Sequence, residues 1–220
     1  MEILLDYLDQ TEYNIIGTSD GIISFVLRKE VYKMILYHGS DMVIKKPLSQ
    51  KGRADVDFGK GFYMTEDKKM AQKWACNKNI SIVNVYEADL SLLNVKQLLA
   101  DEEWLDYVVF YRTHEGKLPF DDTLYDVICG PTADDKLFVT LDMYSDGFLS
   151  KQQAIHIINC MNYSCQVVFK NDAAMENAVR FKEAKELKGL ERQNIYLQMT
   201  EDRKLASKKA IELIRKNNGR

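Results

Sequence analysis

Between Asp57 and Thr65 the chain reads Asp-Phe-Gly-Lys-Gly-Phe-Tyr-Met-Thr, with Gly59 and Gly61 on either side of one lysine. Paired glycines let the backbone enter positive φ or approach a ligand with no side chain between. Phe62 and Tyr63 follow in an extended segment, so their side chains leave on opposite faces, one toward a core and one toward the loop side. A glycine turn that ends in an aromatic strand makes a stacking platform for a flat ligand. Whatever the fold, this turn has to sit at the start of a strand.

Upstream, Met34-Ile35-Leu36-Tyr37 is a short apolar run that suits a buried strand, and it leads into His38-Gly39-Ser40 where strand pattern gives way to loop. Such junctions are where a rigid scaffold presents groups to a ligand. Downstream, Thr65 is expected to cap a helix with Glu66 and Asp67 in its first turn. Trp74 lies three and four residues beyond Ala71 and Met70, so the three share a helix face that can look back at Tyr63.

The polar stretch 45–57 predicts a long loop beside this platform, in which Lys51 and Arg53 can meet an anionic ligand group or stay solvated. Residues Ile80 to Val85 alternate with period two and predict a strand, and Asp89 to Leu99 a turn or helix. Asp101 to Arg112 carries Trp104, Leu105, Tyr107, Val108 and Tyr111 at helical spacing. A buried strand then ends in Gly130-Pro131-Thr132-Ala133-Asp134-Asp135. One aspartate suits the cap of a helix from Lys136 to Tyr144, and the other suits substrate positioning or a structural role. Ser150-Lys151-Gln152-Gln153 is a capping box that starts a helix to about Met161. Gln166-Val167-Val168-Phe169 is a strand with a polar first residue, after which Asp172 is expected to cap a helix aligning Ala174, Ala178 and Phe181. Ala206, Ala210 and Leu213 mark a last amphipathic helix over 201–217, and Leu4, Leu5 and Leu8 a short one at the start.

No apolar run approaches the length that crosses a bilayer, and acidic residues stand where a signal peptide would be basic, so a cytoplasmic protein with no membrane partner is expected. Cys76, Cys129, Cys160 and Cys165 show no Cys-x-x-Cys spacing and read as reduced packing residues. The three histidines have no metal-site spacing, so no metal is expected. Beyond Arg180 lysine and arginine outnumber the acids, which suits a solvated helix face or an anionic partner.

Taken in order, these segments resemble the nicotinamide-binding half of the ADP-ribosyltransferase superfamily, above all its poly(ADP-ribose) polymerase branch. There His-Gly-Ser is followed by Phe-Gly-Lys-Gly-aromatic-Tyr, and then by an aromatic residue eleven positions on, here Trp74. More closely, the chain resembles a bacterial family of predicted ADP-ribosyltransferases with a Gly-Pro-x-Ala-Asp-Asp stretch and a late Gln at a strand start. The resemblance spans residues 34–187. It implies an α+β fold with the split antiparallel β-core of that superfamily and flanking helices, preceded by an extension, 1–33, and followed by a basic helical tail, 188–220.

The resemblance also implies roles. His38 would bond the ribose 2′-hydroxyl of NAD, Gly39 would pair its N–H and C=O with the carboxamide, and Ser40 would add a hydroxyl. Gly61 would lie against the cofactor, and Tyr63 and Trp74 would stack on the nicotinamide ring. Ala71 stands where many polymerases carry a serine, and Gln166 stands at the third motif position, usually a catalytic Glu. The expected activity is mono-ADP-ribosyl transfer from NAD, with His38, Tyr63 and Gln166 as the catalytic set. The acceptor would be a protein or a nucleic acid, and the setting that of a toxin or phage-defence effector with an antitoxin or other partner protein. The alternatives are an NAD glycohydrolase, or a module that binds NAD or ADP-ribosyl groups without turnover. Bond cleavage passes through an oxocarbenium-like state, which a carboxylate at 166 would stabilise better than an amide.

Overall fold

The computed structural model describes residues 13–16, 24–27, 33–133, 137–161 and 163–218. The chain divides at residue 32 into two units. In the first, β1 (Tyr13–Ile16) pairs antiparallel with β2 (Ser24–Leu27), Tyr13 opposite Leu27. The helix expected around Leu4 to Leu8 lies outside the described residues.

The second unit starts with the apolar run of the sequence, now β3 (Lys33–Ser40). It pairs antiparallel with β5 (Ile82–Asp89), which pairs antiparallel with β9 (Val179–Glu186). A second sheet has the order β4-β8-β7-β6: β4 (Phe62–Met64), β8 (Cys165–Phe169), β7 (Val127–Pro131) and β6 (Val95–Gln97). Its β6 and β7 are parallel, so this sheet is mixed where an antiparallel core was expected. The parallel pair forms because 98–126, carrying helix α2 (Glu102–Thr113), returns the chain to the same end of the sheet.

Period-two alternation sorts the second sheet into two faces. Phe62, Met64, Val127, Cys129, Val167 and Phe169 enter a core shared with Leu36, Tyr86 and Ala88 of the first sheet and with α5 (Asp172–Ala178). Tyr63, Ile128 and Val168 turn the other way, onto Trp104, Leu105, Tyr107 and Val108 of α2, Leu141 of α3 (Phe138–Ser145) and Ala154 and Ile158 of α4 (Lys151–Asn159). On the outer face of the first sheet, Val83 packs on Ala71, Ala75 and Cys76 of α1 (Lys68–Cys76). The layers therefore run helix, sheet, core, sheet, helices.

Helix α6 (Gly189–Asn218) is 30 residues, about 45 Å at 1.5 Å per residue. That length lets it touch both helical layers. Lys73 of α1 binds its Asp202 at 2.6 Å, Ala206 enters the α2 side of the core, and Ile214 packs with Leu149 and Ile157. The basic tail is thus part of the second unit's packing.

Several expected caps sit one or two residues away. The cap of α1 is Asp67, which accepts from the Lys69 and Met70 amides, while the Thr65 hydroxyl donates to Cys165 O at 2.7 Å. Asn171, not Asp172, caps α5, because the Asp172 carboxylate accepts from Ser49 at 2.6 Å and anchors the 45–57 loop. Helix α5 ends at Ala178, and Phe181 belongs to β9, whose pairing to β5 outweighs helical spacing. Leu137 precedes α3 without a side-chain cap, and Asp134 and Asp135 lie outside the described residues. The segment after Asp89 holds the short strand β6. Cys165 is exposed at the start of β8, unlike the buried Cys76 and Cys129. The capping box at Ser150 is present as expected.

Gly39 sets how closely α1 lies on β3. A Cβ there would collide with Ala71 O and lie 2.5 Å from Ala75 N, both backbone atoms that cannot move aside alone. Gly39→Ala should therefore lower the unfolding free energy by at least about 1–3 kcal/mol, read from urea midpoints; an unchanged midpoint would contradict this packing.

Candidate functional site

The two sheets of the second unit meet at one isolated antiparallel bridge. Tyr37 N–H donates to Thr65 O at 2.8 Å, and Thr65 N–H donates to Tyr37 O at 3.0 Å. In an antiparallel ladder each residue's N–H and C=O point to the same side, and the side alternates along the strand. Tyr37 faces β4, so His38 faces β5 opposite Asn84, and Gly39 faces the β4 side again. Continuing the bridge would set Gly39 opposite Tyr63, yet the ladder does not continue. The Tyr63 carbonyl instead accepts from Nδ1 of His38 at 2.6 Å. The result is a gap between two strand edges whose backbone polar groups face inward.

His38 forms one wall. A carbonyl oxygen cannot donate, so Nδ1 carries the proton and Nε2 of the neutral ring is an acceptor. Phe62 holds the ring, its centroid 4.4 Å away. Burial lowers the imidazole pKa below its usual 6.5, overcoming the Tyr63 carbonyl, and nearby Lys78 adds to the drop. The ring is neutral at pH 7.

Tyr63 forms the opposite side, half-buried, and its hydroxyl ties down the glycine turn. It donates to Gly59 O at 2.6 Å and accepts from Phe58 N–H at 2.9 Å. Burial, with the Asp57 charge adding to it, raises this phenol far above its usual 10. Gly59 has φ of +65° and lies against the Tyr111 ring, so no other residue fits there. Lys170 Nζ donates to Phe58 O at 2.6 Å and pairs with Asp122, which also accepts from Tyr107 and Tyr111. The turn is thus held from both sides by α2 and the end of β8.

Gly61 lies flat on β8, where a Cβ would meet Val168 Cγ1 at 2.6 Å and Phe169 O at 2.8 Å, so packing alone requires this glycine. Trp74 is half-buried, and its Cβ would be 2.9 Å from a Cβ at Gly39, which puts it at the Gly39 end of the gap. The Ser40 hydroxyl is engaged within the protein: it donates to Met42 O at 2.6 Å and accepts from Asn84 Nδ2 at 3.1 Å and Met42 N–H at 3.3 Å. A ligand would have to displace one of these bonds. Lys51 and Arg53 are exposed, Arg53 close enough to favour the Tyr63 phenolate.

Gln166 is the second residue of β8 and only 1% exposed. Its Nε2 donates to Asp57 Oδ2 at 3.1 Å and Pro131 O at 3.3 Å. Both partners are acceptors, so the amide cannot be turned over without setting oxygen against oxygen. Asp57, 8% exposed, also accepts from Ala133 N–H at 2.9 Å and from Arg112 Nη2 and Nε at 2.7 and 3.1 Å. Arg112 reaches on to Ala133 O at 2.5 Å.

Neither Asp57 nor Arg112 was singled out by sequence reasoning. One signal was available: Arg112 lies four residues beyond Val108 and eight beyond Trp104, on the buried face of α2. A cation on an apolar helix face implies a buried anion. Among the described residues no group of three or more His, Cys, Asp or Glu side chains gathers as a metal site, and no helix is long and apolar enough to cross a membrane.

Residues 34–181 match a protein family described as a protein of unknown function (DUF3990). The match runs from β3 into β9 and includes His38, Gly39, Ser40, Asp57, Gly61, Tyr63, Trp74, Arg112 and Gln166. No curated protein and no solved structure matches the chain.

The lowered His38 pKa fixes the sign of a pH effect. The unfolded chain binds the proton near pH 6.5, before the folded one does. Stability linked to His38 is therefore full above about pH 6.5 and falls as pH drops toward the folded-state value. Urea midpoints measured from pH 8 to 5 should fall less steeply for His38→Gln than for the parent; parallel curves would mean that His38 titrates normally.

Proposed function

The chain belongs to the DUF3990 family, and we propose that it is an NAD-dependent mono-ADP-ribosyltransferase. The observation that carries the reading is the gap beyond the Tyr37–Thr65 bridge, where the Gly39 and Tyr63 backbones face each other. A primary carboxamide needs one acceptor and one donor side by side, and the N–H and C=O of Gly39 supply that pair. The nicotinamide ring then lies between Tyr63 and Trp74. His38 Nε2 accepts from a ribose hydroxyl, and Gln166 lies beside Thr65 at the β8 end. Held this way, the bond between nicotinamide and ribose gains from orientation and from stacking of the leaving ring. The fold is accordingly read as an ADP-ribosyltransferase core.

A second reading rests on a specific feature. Gln166 carries no charge, and the one carboxylate that touches it among the described residues, Asp57, is paired with Arg112. That arrangement favours slow turnover, or a module that holds NAD or ADP-ribosyl groups without turnover, and it disfavours polymer synthesis. NAD glycohydrolase activity is the third outcome, with water as acceptor. The cytoplasmic setting, the toxin or phage-defence role and an antitoxin or other protein partner come from the resemblance alone. The acceptor is a protein or a nucleic acid.

Labelled NAD incubated with the protein and cell extract separates these: label moves to protein, to nucleic acid, to free ADP-ribose, or stays in NAD. NAD should also raise the melting temperature. Because the Tyr63 hydroxyl anchors the turn, two variants are needed. Tyr63→Phe keeps the ring and should keep most of the shift. Tyr63→Ala removes a stacking partner worth about 1–3 kcal/mol, roughly tenfold to a hundredfold in affinity. Equal NAD affinity in Tyr63→Ala and the parent would displace the pocket from this gap.

A further inference from the structure

We propose that Asp57 is a positioning residue that fixes the side-chain amide of Gln166 with its NH2 engaged and its carbonyl oxygen as the atom left to accept from the substrate. The inference rests on the ADP-ribosyl reading of the site for what the oxygen meets, but its geometry stands apart from that reading.

Four donors converge on the Asp57 carboxylate. Both Arg112 bonds fall on Oδ1, and the Ala133 amide and Gln166 Nε2 share Oδ2. With its lone pairs occupied, the carboxylate is closed to direct contact with a ligand. What it does control is its neighbour. Gln166 Nε2 is caught between Asp57 Oδ2 and Pro131 O, and among the described residues no donor is bonded to Gln166 Oε1. A hydrogen bond from an amide NH2 to a carboxylate also draws electron density toward the amide oxygen, which makes it a stronger acceptor. The third motif position thus offers an acceptor oxygen for a ribose hydroxyl, with the negative charge one residue further back. Arg112 keeps that charge in place by balancing it, and its bond to Ala133 O ties the segment after β7 to the same point.

This arrangement changes the expectation for a carboxylate at 166. Gln166→Glu would set two carboxyl groups in contact, and one of them would hold its proton to higher pH. At acid pH the protonated carboxyl of that variant donates to Asp57 and mimics the glutamine amide. As pH rises both carboxyls ionise and separate. In Asp57→Asn combined with Gln166→Glu, the amide NH2 at 57 donates to the new carboxylate, and the polarity of the contact is reversed.

Two measurements on the full chain test the proposal. The first needs no activity: the urea midpoint of Gln166→Glu should fall as pH rises from about 4 to 8, and the double variant should lack that fall. The raised carboxyl pKa belongs to the folded state, so its stabilisation is present at low pH and lost as pH rises. The same pH dependence in both variants would show that 57 and 166 are not in contact and would overturn the proposal. The second is NAD consumption per folded molecule. Asp57→Asn should lower kcat tenfold to a hundredfold and change KM for NAD less than threefold. The double variant should recover at least tenfold over Gln166→Glu at pH 8. A merely structural Asp57 would lower the melting temperature and leave kcat unchanged in Asp57→Asn, which would also overturn it. If the parent consumes and binds no NAD, the ADP-ribosyl reading falls, while the unfolding series still decides whether Asp57 holds Gln166.

Discussion

Two backbone hydrogen bonds between Tyr37 and Thr65 hold the two sheets together at an edge where each would otherwise end. The nicotinamide pocket proposed for this molecule depends on the pairing stopping there. One more ladder step would join Gly39 to Tyr63 and close the gap. It does not form because the Tyr63 carbonyl is already bonded to the His38 ring, and because Phe62 and Met64 are drawn into the core between the sheets while Tyr63 is tied to the glycine turn. The opening is a consequence of competing packing demands on three consecutive residues.

The turn that carries Tyr63 would be soft on its own. Its rigidity comes from α2, which supplies the Tyr111 ring against Gly59 and the Arg112 guanidinium to Asp57, and from Lys170 beneath Phe58 O. Buried charges of this kind add little net stability, since desolvation offsets most of the attraction. Their value is geometric: a buried carboxylate with four donors has one orientation, and so do the groups that donate to it. Losing one partner would strand the others away from water, which makes the cluster act as a unit.

Glycine has two distinct uses here. Gly59 needs a positive φ, a matter of local backbone sterics that any turn reading detects. Gly39 needs no unusual φ; it is glycine because α1, a helix from further along the chain, lies directly on it. The same contrast runs through the caps. Ser150 and Gln153 form their box from sequence spacing alone, whereas Asp172 is drawn off its expected cap by a distant partner, Ser49.

Sequence by itself determined the α+β character, the strand leading to His38, the glycine turn, the faces of Phe62 and Tyr63, and the helix expected over 101–112 and found at 102–113. Each follows from interactions within a few residues: strand alternation, helical spacing, and glycine conformational freedom. Only the tertiary structure decided that β6 and β7 run parallel, that Phe181 lies in a strand, and that α6 spans both helical layers. It alone placed Asp57 against Gln166, 109 residues away, and turned a polar residue at a strand start into an amide held by its NH2. No local pattern encodes such a contact, because the hydrogen bond exists only once β8, α2 and the glycine turn have been packed together by the apolar residues around them.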